Sequence, residues 1–270
     1  MLWTSWYLAY IAIGLVTGVV AGLFGIGGGV ILVPLLAMLF EAQQFPAEHV
    51  LHLALGTSMA TIIFTSISSA RTHDKHGAVL WPVVMRIVPG ILLGTVLGTM
   101  LAARIPTRAL AVFFAFFILY VALQMFVNFK PQPSRELPAT GGIIAAGTLI
   151  GALSALVAIG GGTITIPFLT WCNVKVHNAI GTSAAVGVPI AVGGSVGYMW
   201  NGIHANGLPP ASLGFIYLPA LLFVMSASIV TAPLGARLAH RLPVDMLKRL
   251  FAVLLVLLAA KLLHRLFWSV

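Results

Sequence analysis

Backbone amides become a binding surface where glycines open the chain. Gly27, Gly28 and Gly29 stand in "GIGGGVILVP", which closes on Pro34, and Gly160, Gly161 and Gly162 stand in "AIGGGTITIP", which closes on Pro167. Both stretches sit inside long apolar runs. Glycine weakens a helix and proline weakens it further, so each run is expected to break at its glycines, over Gly25–Gly29 in the first, and restart as a short helix from about Val30 and again after Gly162. A restarted helix presents amide N–H groups without intrahelical partners and the positive end of its dipole, which together bind anions. Glycine also lets a ligand approach the backbone closely. Close packing of small residues between spans would account for a lone triplet; a repeated pair, each trailed by proline, favours discontinuous helices.

Side chains with matching chemistry follow each triplet. "HLALGTS" (His52 to Ser58) is echoed by "HNAIGTS" (His177 to Ser183). The hydroxyls of Thr57, Ser58, Thr182 and Ser183 can donate to the oxygens of an oxyanion, or bond back to helix carbonyls and tie helices together. Asn178 lies one turn before Thr182 and could share the pocket. His52 and His177 occupy matched places at the starts of spans, where each could contact an anion, relay a proton, or serve as an ordinary interfacial histidine. Arg86, in "WPVVMRIVPG", is the one charge well inside a run. Such a charge suggests a substrate contact, but Trp81 is only five residues away, so Arg86 could also snorkel to the interface. Half two has no basic counterpart near Phe215 or Ile216.

Other chemistries find little support. "HDKH" (His73 to His76) lacks further ligand groups at suitable spacing, so no metal is expected. No Gly-Lys-Ser/Thr follows the glycines, which excludes a P-loop. The spans hold no paired carboxylates and no nucleophile–base arrangement, so neither a catalytic site nor a cofactor is implied. Cys172, the single cysteine, reads as an inert buried thiol.

The elements that must hold these residues are membrane helices. Of 270 residues 60% are hydrophobic and only 7% charged, against roughly 25% charged in a soluble domain. So few charges could not cover a wetted surface. Apolar runs occupy approximately 6–40, 53–70, 79–103, 109–128, 139–172, 179–200, 211–236 and 246–263. They are continuous, which suits helices and not barrel strands. The first run carries no basic n-region and reads as a retained span. At 35 residues it would extend about 52 Å as one helix, against a hydrocarbon core of roughly 30 Å, so it must break or bend. The net charge of +9 falls in short gaps such as "RIPTR" and "ARLAHRLP". Cytoplasmic retention and anionic lipid explain it without nucleic acid.

The chain repeats itself. "GTMLAARIP" (Gly98 to Pro106) matches "GARLAHRLP" (Gly235 to Pro243), a third correspondence in the same order as the first two. The expected architecture is an all-α polytopic membrane protein of about eight hydrophobic segments in two homologous repeats, residues 1–128 and 139–270, joined by a Pro- and charge-rich linker at 129–138. If each broken run crosses the membrane, Lys and Arg divide 6 against 7 and show no bias. If each dips in and returns, Arg104, Arg108, Lys261 and Arg265 face nine others, Arg86 set aside. The positive-inside rule favours the second scheme, with inverted repeats and both termini outside.

The paired glycine motifs, each with its proline and trailing "GTS", resemble the sulfite exporter TauE/SafE family, also called the 4-toluenesulfonate uptake permease family, and the resemblance covers nearly the whole chain. It implies an integral membrane transporter of small sulfur-containing anions such as sulfite or organosulfonates, in a bacterial cytoplasmic membrane. The expected partners are the anion and the bilayer; a homo-oligomer is compatible with the sequence. Two other classes fit the composition: a channel or cation-coupled carrier, and a non-transporting membrane enzyme or accessory subunit.

Overall fold

The computed structural model describes residues 2–25, 27–127, 135–239 and 244–268. Ile26, residues 129–134 of the linker and residues 240–243 of the "ARLAHRLP" stretch, all part of the readings above, lie outside the described residues. Each half contributes five helices, long, short, long, long and long. The first half gives α1 (Leu2–Phe24), α2 (Gly29–Ala42), α3 (Val50–Lys75), α4 (Trp81–Arg104) and α5 (Thr107–Val127). The second gives α6 (Thr140–Val157), α7 (Gly162–Trp171), α8 (Val176–Gly202), α9 (Leu218–Ala239) and α10 (Val244–Trp268). A two-residue hairpin of β1 (Ser212–Leu213) and β2 (Ile216–Tyr217) leads into α9. Among the described residues, α1, α3, α4, α5, α6, α8 and α9 are long and apolar enough to cross a membrane, whereas α2 and α7 are too short. The eight apolar runs become ten helices because the first run of each half breaks at its glycines.

The breaks fall where left-handed backbone is needed. Gly28 precedes α2 with φ 78° and Gly161 precedes α7 with φ 81°; a side chain there would cost roughly 1–2 kcal/mol. After its break the chain doubles back. Gly28 lies against Thr17 of α1, and Gln43, just past α2, donates to the Tyr10 hydroxyl at 2.6 Å. So α2 runs back along α1. In the second half Arg135, which precedes α6, stacks over Trp171 at the end of α7, 4.8 Å from the ring centroid, and α7 returns in the same way. Pro34 and Pro167 lie inside these short helices, and each removes the N–H that would have bonded to the carbonyl four residues earlier, Val30 or Thr163.

Neighbouring residues fix the direction of every inner helix. Glycines 14, 18 and 22 of α1 lie against Val224, Ser228 and Ala232 of α9, so these two helices run parallel. Glycines 90, 94 and 98 of α4 lie against Ile144, Thr148 and Ala152 of α6, also parallel. Met59 and Ser66 of α3 meet Gly194 and Gly187 of α8, an antiparallel pair. Thr95 and Thr99 of α4 meet Gly193 and Gly197 of α8, and Thr57 and Ser68 of α3 meet Tyr217 and Ile229, so α4 follows α8 and α3 follows α9. Small residues every fourth position let these backbones approach to contact, which is how helices associate where no hydrophobic force separates protein from lipid. The α3 and α8 helices form the centre: 83% and 72% of the residues in their most apolar stretches are buried. The α5 and α10 helices pair at the outside and expose apolar side chains such as Phe116, Leu123, Val253 and Leu257, as lipid-facing helices do.

Candidate functional site

The two glycine breaks meet. A methyl group on Gly27 would lie 3.0 Å from Gly160 Cα and 2.9 Å from Ile62 of α3, and one on Gly29 would overlap Ala158 O. Ile62 is near the middle of α3, so the junction lies at the middle depth of the helices. All six glycines are buried. The first intrahelical bonds run from Ile31 and Leu32 to Gly28 O in α2, and from Ile164 and Thr165 to Gly161 O in α7. By helix geometry the amides of Gly29, Val30, Gly162 and Thr163 precede those bonds and have no acceptor in their own helices.

The hydroxyls of the two "GTS" segments are fully buried and reach across to the opposite half. Ser183 Oγ donates to Gly25 O at 3.3 Å and to Ile180 O at 2.8 Å; Ser58 Oγ makes the mirror-image, longer bond to Ala158 O at 3.5 Å. Thr57 Oγ1 accepts from the Tyr217 N–H at 2.9 Å, and Thr182 Oγ1 accepts from the Leu80 N–H at 3.0 Å. Tyr217 and Leu80 immediately precede α9 and α4. Each threonine thus caps the fourth helix of the other half, and each serine holds the other half's break. The sequence raised helix-linking as one role for these hydroxyls, and in this conformation all four are engaged in it.

Thr57→Val is expected to leave the buried Tyr217 N–H unpaired, at about 1–3 kcal/mol. Thermal unfolding in detergent should show a lower Tm for Thr57→Val and a near wild-type Tm for Thr57→Ser, which keeps the acceptor.

The remaining sequence candidates are dispersed. Arg86 is exposed on the outer face of α4, away from the breaks. His177 is exposed and Asn178 half-buried in the first turn of α8. His52 is buried. Its Nε2 is 3.2 Å from Ala102 O and its Nδ1 3.3 Å from Thr107 Oγ1, and its ring lies 5.1 Å from that of Phe215, so it seams α3 to the α4–α5 turn. The "HDKH" side chains diverge: His73 Nε2 faces Gly22 O, Asp74 accepts from the Trp81 indole and His76 Nδ1 faces Thr72 O. Cys172 is buried, and loss of solvent pushes its thiol pKa up, against a smaller opposing pull from Arg135.

Three polar residues at the second break escaped the sequence reading. Ser154 and Thr165 are 0% exposed and Thr163 is 7% exposed, and among the described residues no hydrogen-bond partner reaches their hydroxyl oxygens. Thr165 Oγ1 lies 3.3 Å from where a Cβ on Gly161 would be, so it faces the break. Thr163 is in the first turn of α7, and Ser154, in the last turn of α6, accepts the Ile159 N–H on its carbonyl. A buried hydroxyl left unpaired costs about 1–3 kcal/mol. The signal was present in the alignment of the halves, which sets these residues opposite Ala21, Val30 and Leu32.

The sequence matches the profile of the sulfite exporter TauE/SafE family over residues 10–262. A probable membrane transporter protein of Haemophilus influenzae is 35% identical, covering 94% of this chain and 97% of the relative. The probable membrane transporter protein YunE of Bacillus subtilis is 25% identical over 96% and 97% of the two chains. The probable membrane transporter protein MJ0441 of Methanocaldococcus jannaschii is 24% identical over 86% of each. No solved structure matches. With seven helices able to span a bilayer and a family match across nearly its whole length, this integral membrane protein belongs to the sulfite exporter TauE/SafE family of membrane transporters.

Proposed function

We propose that the protein carries a small sulfur oxyanion or organosulfonate across a bacterial cytoplasmic membrane by alternating access, with its site where the two glycine breaks meet. The observation that carries this reading is the contact between Gly27 and Gly160 at mid-depth, which brings two helix N-termini to one place. Two converging positive dipole ends favour an anion, and broken helices at mid-membrane between repeats are the arrangement of many secondary transporters. The helix directions support an inverted duplication of 1–128 and 139–270: α1 and α3 run one way, and their counterparts α6 and α8 run the other. With that parity the basic residues gather at the end shared by Arg71, Lys75 and Lys175, which we assign to the cytoplasm.

Every Lys and Arg whose side chain is described is exposed. Among the described residues the donors at the junction are therefore neutral amides and hydroxyls, so the anion crosses with its own charge uncompensated. An inside-negative potential of 100 mV is worth about 2.3 kcal/mol per charge, enough for a roughly 50-fold gradient. In proteoliposomes, sulfite efflux is expected to saturate, to need no sodium, and to accelerate when a potassium diffusion potential makes the interior negative. Flux that is linear in concentration, or that requires sodium, would favour a channel or a cation-coupled carrier instead.

A further inference from the structure

We infer that the side-chain donors to the oxyanion come from the second break alone, the hydroxyls of Ser154, Thr163 and Thr165 beside the first amides of α7, and that the side chains of the first break form an apolar wall. This deepens the anion-carrier reading and rests on it.

The two breaks share a backbone and differ in chemistry. Around the first, the corresponding residues are Ala21, Val30 and Leu32, all buried and none with a side-chain donor. Around the second, three hydroxyls are more than nine-tenths buried and lack a partner. Ser154 lies in the last turn of α6, four residues before the left-handed Ala158, and its carbonyl accepts the Ile159 N–H, so it borders the break. Thr165 is placed independently, by its approach to Gly161. Other buried or half-buried hydroxyls bond back to a carbonyl of their own helix, as Thr61, Thr99 and Thr170 do. Ser154 and Thr165 do not, although each has a carbonyl one turn back, at Ile150 and Gly161; Thr163, the second residue of α7, has no helical carbonyl behind it.

The ligand class follows from the donor set. One helix terminus offers two amides, and three hydroxyls offer one proton each. An anion with several acceptor oxygens on one centre, such as sulfite or a sulfonate head, can take up such a set; a halide has no directed lone pairs to match it. With no basic side chain described among the donors, a singly charged oxyanion fits better than a doubly charged one.

The test is the sulfite concentration dependence of flux in proteoliposomes for wild type, Thr163→Val, Thr165→Val and the double variant, with Tm recorded in the absence of sulfite. The double variant is expected to raise KM at least tenfold while its Tm equals or exceeds that of wild type, because valine removes an unpaired hydroxyl without removing a bond. Thr163→Ser and Thr165→Ser are expected to keep KM within about threefold. An unchanged KM in the double variant, with wild-type sulfite flux intact, overturns this inference and leaves the anion-carrier reading standing. A fall in Tm with KM unchanged assigns the hydroxyls to structure and also overturns it. A changed sodium requirement in place of a changed KM assigns them to a cation, with the same consequence. Absence of both sulfite binding and sulfite flux in folded wild type removes the anion-carrier reading and this inference together.

Discussion

Gly29→Ala is expected to abolish transport. Its new methyl group would overlap Ala158 O and press within 3.0 Å of Ile62 Cδ1. The obstacle is backbone, so no rotamer change relieves it. The carbonyl in the way belongs to the residue that ends α6 in left-handed conformation, φ 47°, and that also accepts from Ser58. Making room for one methyl therefore means moving the two breaks apart. The account expects sulfite flux to fall below a few per cent of wild type while the protein still inserts. Gly141→Ala, which meets nothing within 4 Å at the exposed start of α6, should transport normally and serves as the matched control.

Gly94→Leu is expected to cost the fold itself. Gly94 lies at the centre of the α4 stripe, and even a methyl there would overlap Thr148 O and lie 2.8 Å from Ala152 N. Ordinary overpacking of a core costs about 1–3 kcal/mol. Here a four-carbon side chain would have to enter a contact between two backbones, so the cost should exceed that range. The expected result is loss of monodisperse protein in size-exclusion chromatography of detergent extracts. Leu93→Ala, a neighbour that is 54% exposed on the lipid-facing side, should behave as wild type there.

Much of the architecture could be read from the residues because membrane helices obey one strong rule: every backbone polar group needs a partner inside the segment unless protein or a cavity supplies it. A 35-residue apolar run is too long to cross as one helix, its glycines are the weakest place in it, and it breaks between Phe24 and Gly29. The stripes of glycine at 14, 18 and 22 and at 90, 94 and 98 were equally visible, but their partners were not, since parallel packing of α1 on α9 and of α4 on α6 depends on contacts across the whole chain. Matched sequence positions also acquired different surroundings. His52 is enclosed by Ala102, Thr107 and Phe215, whereas His177 starts α8 at an exposed end. Repeat symmetry gave no warning of that, because the first-half loop folds under the α4–α5 turn. For Arg86 the sequence left a substrate contact and snorkelling to the interface both open, because depth along a run does not say which face of the helix a residue takes; it is exposed on α4. The unpaired hydroxyls at the second break were not legible from the motifs the repeats share, because Ser154, Thr163 and Thr165 stand where the halves differ, opposite Ala21, Val30 and Leu32.

The most direct test of the central claim, that the paired breaks form the anion site, is sulfite flux in proteoliposomes containing Gly28→Leu or Gly161→Leu beside wild type, with taurine, sulfoacetate, sulfate and chloride as competitors. Both glycines sit at positive φ, and a side chain would press on Thr17 O at Gly28 and on Ile190 Cδ1 and Thr165 Oγ1 at Gly161, displacing the break. The account expects saturable wild-type flux, blocked by one of the sulfur anions, and none from either inserted variant. Normal flux from both variants would contradict it.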